Sequence, residues 1–181
     1  EAIELGFDEI NFDYVRFPTD GNIENIKYSN KTKQKKKYEI MEDFFSFLDK
    51  ELSSKPALLS VDFFGIVMEG GAEDIIGQRL EDVTDKVDFV SPMMYPSHYP
   101  SGHIGLANPG KHPRKIFSHG LKEGASEFKD QQAKVRPWIQ AFSLKYDYGK
   151  EKINIQTSTI DKYENAGWLL WDPKNTYNFL K

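Results

Sequence analysis

Five short apolar segments, separated by helical or loop sequence, most strongly constrain the fold of this 181-residue chain. Nearly continuous apolar runs of this length are typical of parallel strands covered on both faces. Between the first two runs, apolar residues at spacings of three and four predict an amphipathic helix over 38–52. This alternation predicts a parallel sheet with right-handed crossovers. The predicted strands are Glu9–Val15, Ala57–Phe64, Val87–Tyr95, Val135–Phe142 and Gly167–Trp171.

Two α/β architectures satisfy this alternation, an open doubly wound sheet and a (β/α)8 barrel. A doubly wound sheet usually carries a glycine-rich phosphate-binding loop after a strand, and the sequence shows none. Polar residues instead cluster where the predicted strands end, which is where barrel enzymes build their sites. We therefore predict a fold of the (β/α)8 TIM-barrel type.

The length of the chain limits how much of a barrel it can form. A complete barrel has eight units in about 250 residues, whereas residues 1–181 supply five predicted strands and open with Glu1 rather than Met. We predict one partial barrel domain, the C-terminal five βα units, with N-terminal strands missing. Because an open barrel exposes sheet edges, the missing N-terminal half or a second chain is an expected partner.

Composition excludes several classes of function. The chain has 28 acidic and 24 basic residues and a net charge of −4, which argues against nucleic-acid binding; the lysine-rich segment 31–37 is expected to be a solvated loop. No apolar run approaches the roughly 18 residues that a membrane span needs. The absence of cysteine excludes disulfides and thiolate sites, and the four histidines lack ligand spacing. We therefore predict neither a metal nor a cofactor.

The segment NFDYVRFP at 11–18 carries the first candidate catalytic residue. Strand alternation places Asn11, Asp13 and Val15 on one side, and that side should face the barrel interior because the outer side meets helices. A carboxylate in a strand is costly to bury unless it is paired or used. Arg16 follows at the barrel mouth, where it could hold Asp13 ionised and help to position substrate. A structural Asp–Arg pair and a site carboxylate both remain open.

The second predicted strand repeats this arrangement in SVDFFG, where Asp62 shares its inward parity with Ser60. Neighbouring strands lie about 4.8 Å apart, so the carboxyl groups of Asp13 and Asp62 should be roughly 5 to 8 Å apart. That range suits hydrolysis of glycosidic bonds by paired carboxylates. Crowding two acids raises the pKa of one; with Arg16 beside it, Asp13 fits the nucleophile or base and Asp62 the proton donor. A merely structural role for one of them at the rim is the alternative.

Aromatic and polar residues follow the last three predicted strands. Tyr95 and His98 should emerge at the mouth, where either could bond a sugar hydroxyl. Trp138, Gln140 and Trp171 end the next two strands. Because a pyranose ring has apolar faces and a polar rim, aromatic rings beside an amide predict a substrate-binding subsite with Trp171 as its floor. Tryptophan as plain core is the competing interpretation.

The motifs GFDEINFDYVRFP, SVDFFG, VDFVSPMMYPSHY, RPWIQAF and GWLLWDP occur in that order over nearly the whole chain. Together they resemble the putative glycosyl hydrolase domain family, domain-of-unknown-function family 4015. This resemblance implies a TIM barrel, hydrolysis of O-glycosyl bonds in a cell-envelope or extracellular polysaccharide, and a bacterial protein located outside the cytoplasm.

The chain is also distantly similar to the chitinase-like family-18 glycoside hydrolases. Their D-x-x-D-x-D-x-E strand motif can be laid over Asp8, Asn11, Asp13 and Val15. Because valine stands where that family has its catalytic acid, substrate-assisted chemistry through this position is not available. Any hydrolysis must then combine Asp13 with another acid, most plausibly Asp62. The missing acid also supports an alternative function, a non-catalytic carbohydrate-binding barrel of the bacterial cell envelope.

Overall fold

A computed structural model describes residues 1–29 and 34–177 of the chain. In these residues the strands form one sheet in which every pairing is parallel, in the order β1-β2-β3-β5-β6, with β4 also paired to β3. The strands are β1 Glu9–Phe12, β2 Leu58–Phe64, β3 Phe89–Met94, β4 Lys134–Val135, β5 Trp138–Gln140 and β6 Leu169–Trp171.

Helices connect consecutive strands on the outer side of the sheet. They are α1 Lys37–Leu52, α2 Glu73–Ile76, α3 Pro113–Glu123 and α4 Lys150–Ile160. Short 3-10 turns occupy Ile23–Asn25, Gly65–Glu69, Leu80–Asp82, Pro96–His98, His103–Gly105, Pro109–Lys111 and Gly124–Phe128. None of the helices in the described part of the chain has the length and apolarity needed to cross a membrane. Of the predicted lysine-rich loop, residues 31–33 lie outside the described residues and Lys37 already begins α1.

The sheet curls into a parallel half-barrel of five strands, counting β4 and β5 as two parts of one interrupted strand. The curl is sharp enough for Arg136, between β4 and β5, to form an ion pair with Glu9 on β1. The predicted α/β fold class of a partial TIM-type barrel is therefore confirmed. Pro137 lies at the interruption, where its missing N–H removes a ladder hydrogen bond.

The apolar core lies between the outer face of the sheet and the helices. Val61 and Phe63 on β2 and Val90 on β3 are fully buried there. The Phe45 ring of α1 packs 5.7 Å from the Phe63 ring, and Phe117 of α3 belongs to the same cluster. Because side chains alternate between the two faces of a strand, the polar residues of β1 to β3 lie on the concave inner face.

Several elements end earlier in the structure than the sequence pattern predicts. The first strand stops at Phe12 because Tyr14 adopts a left-handed conformation with φ 57°. The pattern also predicts helices over 72–80 and 113–134, but the first is only the single turn α2 and the second ends at Glu123, before the glycine at 124. Local glycines and the positive φ of Tyr14 therefore end these elements earlier than the apolar pattern suggests.

Gly77 closes α2 in a left-handed conformation and in close contact with α1. Its φ is +80°, and a Cβ at this position would lie 2.9 Å from Met41 Cγ and 3.0 Å from the Lys37 carbonyl oxygen. We expect Gly77→Ala to lower the free energy of unfolding by about 3 kcal/mol, from backbone strain plus overpacking. Gly71→Ala is the matched control, because Gly71 has φ +83° with open space around it, and it should cost only about 1 kcal/mol. Urea unfolding of both variants checks the difference, and equal losses would refute the packing contribution.

Candidate functional site

A cleft of about 790 Å³ opens at the carboxyl ends of the strands. Six of the eight predicted site residues line it: Asp13, Asp62, Tyr95, His98, Trp138 and Trp171. Parallel strands bring these side chains together because all their carboxyl ends meet at one rim. The two remaining predicted residues lie beside the cleft and have other contacts, described below.

Asp62 is the most deeply placed acid of the cleft. It is only 5% exposed, and its Oδ1 accepts hydrogen bonds from Trp138 Nε1 at 2.9 Å and from Asn11 Nδ2 at 3.1 Å. Burial raises the pKa of the Asp62 carboxyl and outweighs these two hydrogen bonds, and the negative charge of Asp13 raises it further. In this environment the Asp62 carboxyl keeps its proton to a higher pH than a carboxyl group in water does.

Asp13 lies in the turn that follows β1 and is exposed to the cleft. Its Oδ1 accepts a hydrogen bond from the Tyr14 backbone N–H at 2.7 Å. This contact leaves the other carboxylate oxygen free of described protein partners. An exposed carboxylate beside a buried acid is the asymmetry that acid–base pairs require.

After β1 the side chains no longer alternate as predicted. Val15 therefore does not face the barrel interior, contrary to the prediction. The positive φ of Tyr14 turns its ring into the cleft, whereas Val15 is 7% exposed within the core. The Val15 carbonyl accepts a hydrogen bond from Gln78 Nε2 at 3.0 Å. The position that aligns with the family-18 acid therefore faces away from the cleft.

Arg16 does not form the expected ion pair with Asp13 among the described contacts. Its guanidinium lies 4.6 Å from the centre of the Phe64 ring and donates through Nη1 to the Phe17 carbonyl at 3.1 Å. The expected ion pair is therefore not formed, and the turn at Tyr14 directs the arginine toward the Phe64 ring instead. Arg16 thus supports Phe64, which lines the cleft.

Tyr95 and His98 form an aromatic corner with Phe142. The Tyr95 ring meets the His98 and Phe142 rings edge-on, with centroids 5.4 and 5.5 Å apart. Burial raises the pKa of Tyr95, so its phenol stays protonated. Burial also lowers the pKa of His98, so the imidazole is neutral at pH 7. Both groups can therefore exchange hydrogen bonds with a neutral hydroxyl.

The two tryptophans of the cleft differ in their contacts and exposure. Trp138 donates its indole N–H to Asp62 and meets Trp171 edge-on, with ring centroids 5.9 Å apart at 80°. Trp171 remains 42% exposed within the cleft. Trp138 thus holds the Asp62 carboxyl through a hydrogen bond, and part of the Trp171 indole stays exposed to the cleft.

Gln140 is fully buried and does not line the cleft, contrary to the prediction that it binds substrate directly. Its Oε1 accepts from the Ser97 N–H at 3.0 Å, and its Nε2 donates to Ser97 Oγ and to the Phe142 carbonyl. The amide is fully occupied in these contacts. Gln140 therefore fixes the segment after β3, which carries Tyr95 and His98.

Below the cleft, a polar layer on the inner face connects β1 with the interrupted strand formed by β4 and β5, and the sequence reasoning missed most of it. Arg136 donates from both terminal nitrogens to Glu9, and Ser60 Oγ donates to Glu9 Oε1 at 2.5 Å. The Arg136 guanidinium also lies 4.1 Å from the Phe89 ring centre. The hydrogen bonds from Arg136 lower the pKa of Glu9. Glu9 shares the strand parity of Asn11, and that signal could have identified it.

Loops and the ends of β2 and β3 supply the rest of the cleft wall. The additional lining residues are Tyr14, Thr19, Asp20, Phe64, Gly65, Ile66, Met93, Tyr99 and Pro100. Within residues 1–29 and 34–177, no group of three or more histidine and acidic side chains is arranged to hold a metal ion. The chemistry available to the cleft from this chain is therefore that of carboxylates, phenols, an imidazole and aromatic faces.

Comparison with known proteins places this site in a family. The family described as putative glycosyl hydrolase domain matches residues 1–177. The chain belongs to this family. The resemblance drawn from the sequence motifs is confirmed.

A solved structure supports the same fold. The glycoside hydrolase domain of PgaB (BpsB) from Bordetella bronchiseptica superposes with a TM-score of 0.55 at 16% sequence identity. The match covers 83% of this chain and 42% of that one, so this chain spans less than half of the neighbour. No curated protein sequence matches the chain. At this identity the neighbour supports the barrel-like fold and nothing finer.

Proposed function

We propose that this chain hydrolyses an O-glycosyl bond in a cell-envelope or extracellular polysaccharide, with Asp62 as the proton donor and Asp13 as the nucleophile or base. One observation carries the proposal: a buried acid with a raised pKa and an exposed carboxylate line the same cleft. This division of environments is the one that separates acid from base in glycosidases.

The proposed reaction follows from the two environments. Protonated Asp62 transfers its proton to the glycosidic oxygen as the bond from that oxygen to the anomeric carbon breaks. The Asp13 carboxylate either removes a proton from the water that attacks the anomeric carbon, or itself attacks that carbon. In the second case water, deprotonated by the Asp62 carboxylate, then attacks the same carbon and breaks its bond to Asp13. Trp138 and Asn11 hold Asp62 in place through the two hydrogen bonds to Oδ1.

The wall of the cleft would position the sugar. Trp171 stacks on the apolar face of a pyranose ring, while Tyr95 and His98 exchange hydrogen bonds with its hydroxyls. Arg16 and Gln140 act indirectly in this proposal, because they support Phe64 and the Ser97 segment rather than reach the ligand.

Two further aspects of the proposal concern the context of the chain. Residues 1–181 form one partial barrel domain in this proposal, and further strands or a second chain complete the barrel beside β1 and β6, the ends of the described sheet order. The family resemblance favours an extracellular or cell-envelope location, where polysaccharide is the substrate.

Release of reducing ends tests the hydrolytic function. The chain is incubated with soluble starch, chitosan and peptidoglycan in separate reactions, and new reducing ends are counted over time. We expect release from at least one polymer, at a rate that depends on the carboxylates as set out in the Discussion. Absence of release from all three contradicts the hydrolytic proposal.

A carbohydrate-binding protein without turnover is the second candidate, favoured by the aromatic lining of the cleft, which can bind a sugar without cleaving it. The identity of Val15 does not decide between the candidates, because this residue faces the core. Binding of the same polymers, measured by affinity electrophoresis in starch or chitosan gels and by co-sedimentation with peptidoglycan, distinguishes the two functions. Retention without release of reducing ends supports the second candidate.

Both candidates require Trp171 as a stacking surface. We expect Trp171→Ala to weaken retention about tenfold or more, because base or sugar stacking on an indole contributes about 1–3 kcal/mol. Trp168→Ala is the matched control, since Trp168 is similarly exposed, at 40%, but lies outside the cleft. Equal retention of the two variants would remove Trp171 from the binding site.

A further inference from the structure

A cluster of one acid and two histidines lies next to the cleft without lining it. Glu69 ends the 3-10 turn Gly65–Glu69 that follows β2, and its side chain is 11% exposed. His103 Nε2 lies 3.1 Å from Glu69 Oε1, and His119 Nε2 lies 3.4 Å from Glu69 Oε2. Both carboxylate oxygens therefore have an imidazole partner.

The two histidines belong to elements of different character. His119 is part of α3, which the buried residues Ile116 and Phe117 anchor in the core. His103 belongs to the irregular segment 96–112, which has only 3-10 turns. Glu69 thus connects a core helix with a segment that has little regular structure of its own.

The His103 side of the cluster reaches the cleft through Tyr99. The Tyr99 and His103 rings are 4.6 Å apart and tilted by 38°, and Tyr99 with Pro100 lines the cleft. The Tyr99 hydroxyl is buried, and no described atom forms a hydrogen bond with it. Because the phenol makes no hydrogen bond with the described atoms, its position depends on packing, and the contact with the His103 ring is part of that packing.

The opposite side of Tyr99 is already closely packed. A Cβ at Gly65 would lie 2.5 Å from the Tyr99 hydroxyl oxygen and 2.8 Å from the Met93 carbonyl oxygen. Gly65 thus lets the phenol approach the end of β3. Displacement of Tyr99 toward the sheet is blocked, which leaves movement outward, with segment 96–106, as the available one.

We propose that Glu69 and His103 are positioning residues that hold the Tyr99–Pro100 wall of the cleft against the barrel and so set the width of the saccharide site. The inference rests on the proposed function for the identity of the ligand, but the holding of the wall is a property of the chain alone. Glu69 acts through His103 and Tyr99 and does not contact the sugar.

Hydrogen exchange of backbone amides tests the holding directly and needs no ligand. Amides within 98–106 form local bonds, such as Gly102 N–H to the Leu106 carbonyl at 2.9 Å. We expect about tenfold faster exchange over 97–106 in Glu69→Ala and in His103→Ala, since each removes a charge-assisted hydrogen bond. Exchange in β2 and β3 should not change.

Two further variants control this experiment. His112→Ala removes an exposed histidine of the same segment that has no described side-chain contact with Glu69, and it should leave exchange over 97–106 unchanged. His103→Gln retains an N–H donor and should recover part of the protection. Unchanged exchange in Glu69→Ala and His103→Ala, or acceleration spread equally over β2 and β3, would overturn the proposal.

Steady-state kinetics supplies a second readout on the polymer that releases reducing ends. His103→Ala should raise KM about tenfold and leave kcat within about twofold, because the wall binds the substrate and does not contact the reacting atoms. A fall in kcat with unchanged KM would contradict the positioning role. If starch, chitosan and peptidoglycan all remain uncleaved, the hydrolytic proposal fails, while the exchange experiment still decides whether Glu69 holds the wall.

Discussion

Asp62→Asn is expected to lower kcat roughly 10³-fold, the usual contribution of a positioned general acid. Asparagine has the same shape and still accepts hydrogen bonds from Trp138 and Asn11, so the cleft should keep its geometry. It cannot donate a proton with the acidity of a carboxylic acid. The rate of reducing-end release, measured on the polymer that the parent chain cleaves, checks this expectation.

Although Asp62→Asn should lower kcat, it should raise the stability of the folded chain at neutral pH. The pKa of Asp62 is raised in the folded chain, so its contribution to stability is present below the unfolded pKa of about 3.9 and is lost as pH rises through the folded pKa. Where Asp62 is ionised, the native chain carries the cost of a buried charge that Asp62→Asn lacks. We expect the variant to unfold at a higher temperature at pH 7 than the parent, with a smaller difference at pH 4.

Asp88→Asn is the matched control for the loss of activity. Asp88 lies immediately before β3, at the opposite end of the strands, and its Oδ2 accepts a hydrogen bond from the Leu59 N–H at 2.8 Å, which an asparagine can also accept. Its activity should remain near that of the parent. An Asp62→Asn variant that remains fully active would remove Asp62 from the chemistry, and Asp13→Asn applies the same criterion to Asp13.

The raised pKa of Asp62 also predicts how the rate of hydrolysis changes with pH. Asp62 must be protonated to act as an acid, so its raised pKa extends activity upward from acidic pH, and activity falls as pH rises through that pKa. The profile of kcat/KM in the parent chain should therefore have a descending limb on its alkaline side. A rate that increases steadily from pH 4 to pH 9 would assign the opposite role to Asp62.

Arg136→Met should cause a large loss of stability, about 3 kcal/mol of unfolding free energy. Arg136 and Glu9 are 15% and 27% exposed, and their ion pair connects β1 with the interrupted strand formed by β4 and β5. Methionine preserves much of the packing against Phe89 but leaves the Glu9 carboxylate without its cation. Chemical denaturation monitored by tryptophan fluorescence measures this loss.

The effect of Arg136→Met should depend on pH with a defined sign. The pKa of Glu9 is lowered in the folded chain, so the stability it supplies is present above the unfolded pKa of about 4.3 and is lost as pH falls through the folded pKa. The difference between parent and variant should be full at pH 7 and should shrink below pH 4. A difference independent of pH would show that packing, rather than the ion pair, is responsible.

Two controls separate the ion pair from general effects of charge removal. Lys134→Met removes a neighbouring cation whose partner, Glu164, lies 3.1 Å away at the surface, and it should cost no more than about 1 kcal/mol. The double variant Glu9→Gln with Arg136→Met should be more stable than Arg136→Met alone, because no uncompensated carboxylate remains.

Local pattern was sufficient to predict several features of the site. The apolar runs around Asp62 and Tyr95 identified β2 and β3, and period-two alternation correctly placed Asp62 on the concave face. The same reasoning located Trp171 at the rim. These predictions needed only the rule that consecutive side chains of a strand point to opposite faces.

That rule failed where the strand ended sooner than its sequence suggests. Tyr14 and Val15 exchanged their expected sides because of one positive φ, and Arg16 was consequently directed toward Phe64 rather than Asp13. Gln140 had the correct parity for the interior, but the Ser97 segment occupied its amide. A backbone reversal and competition for a hydrogen-bonding group both depend on neighbours that alternation does not describe.

The sequence by itself determined the order of the strands, their parallel pairing and the end of the sheet at which acids and aromatic rings collect, because these follow from local periodicity and chain connectivity. Only the tertiary structure decided that Trp138 holds Asp62, that Arg136 reaches Glu9 and that Glu69 lies between His103 and His119. Each of these contacts joins residues at least 34 positions apart. Their formation depends on how far the sheet curls, and the curl results from the packing of all its strands and helices together.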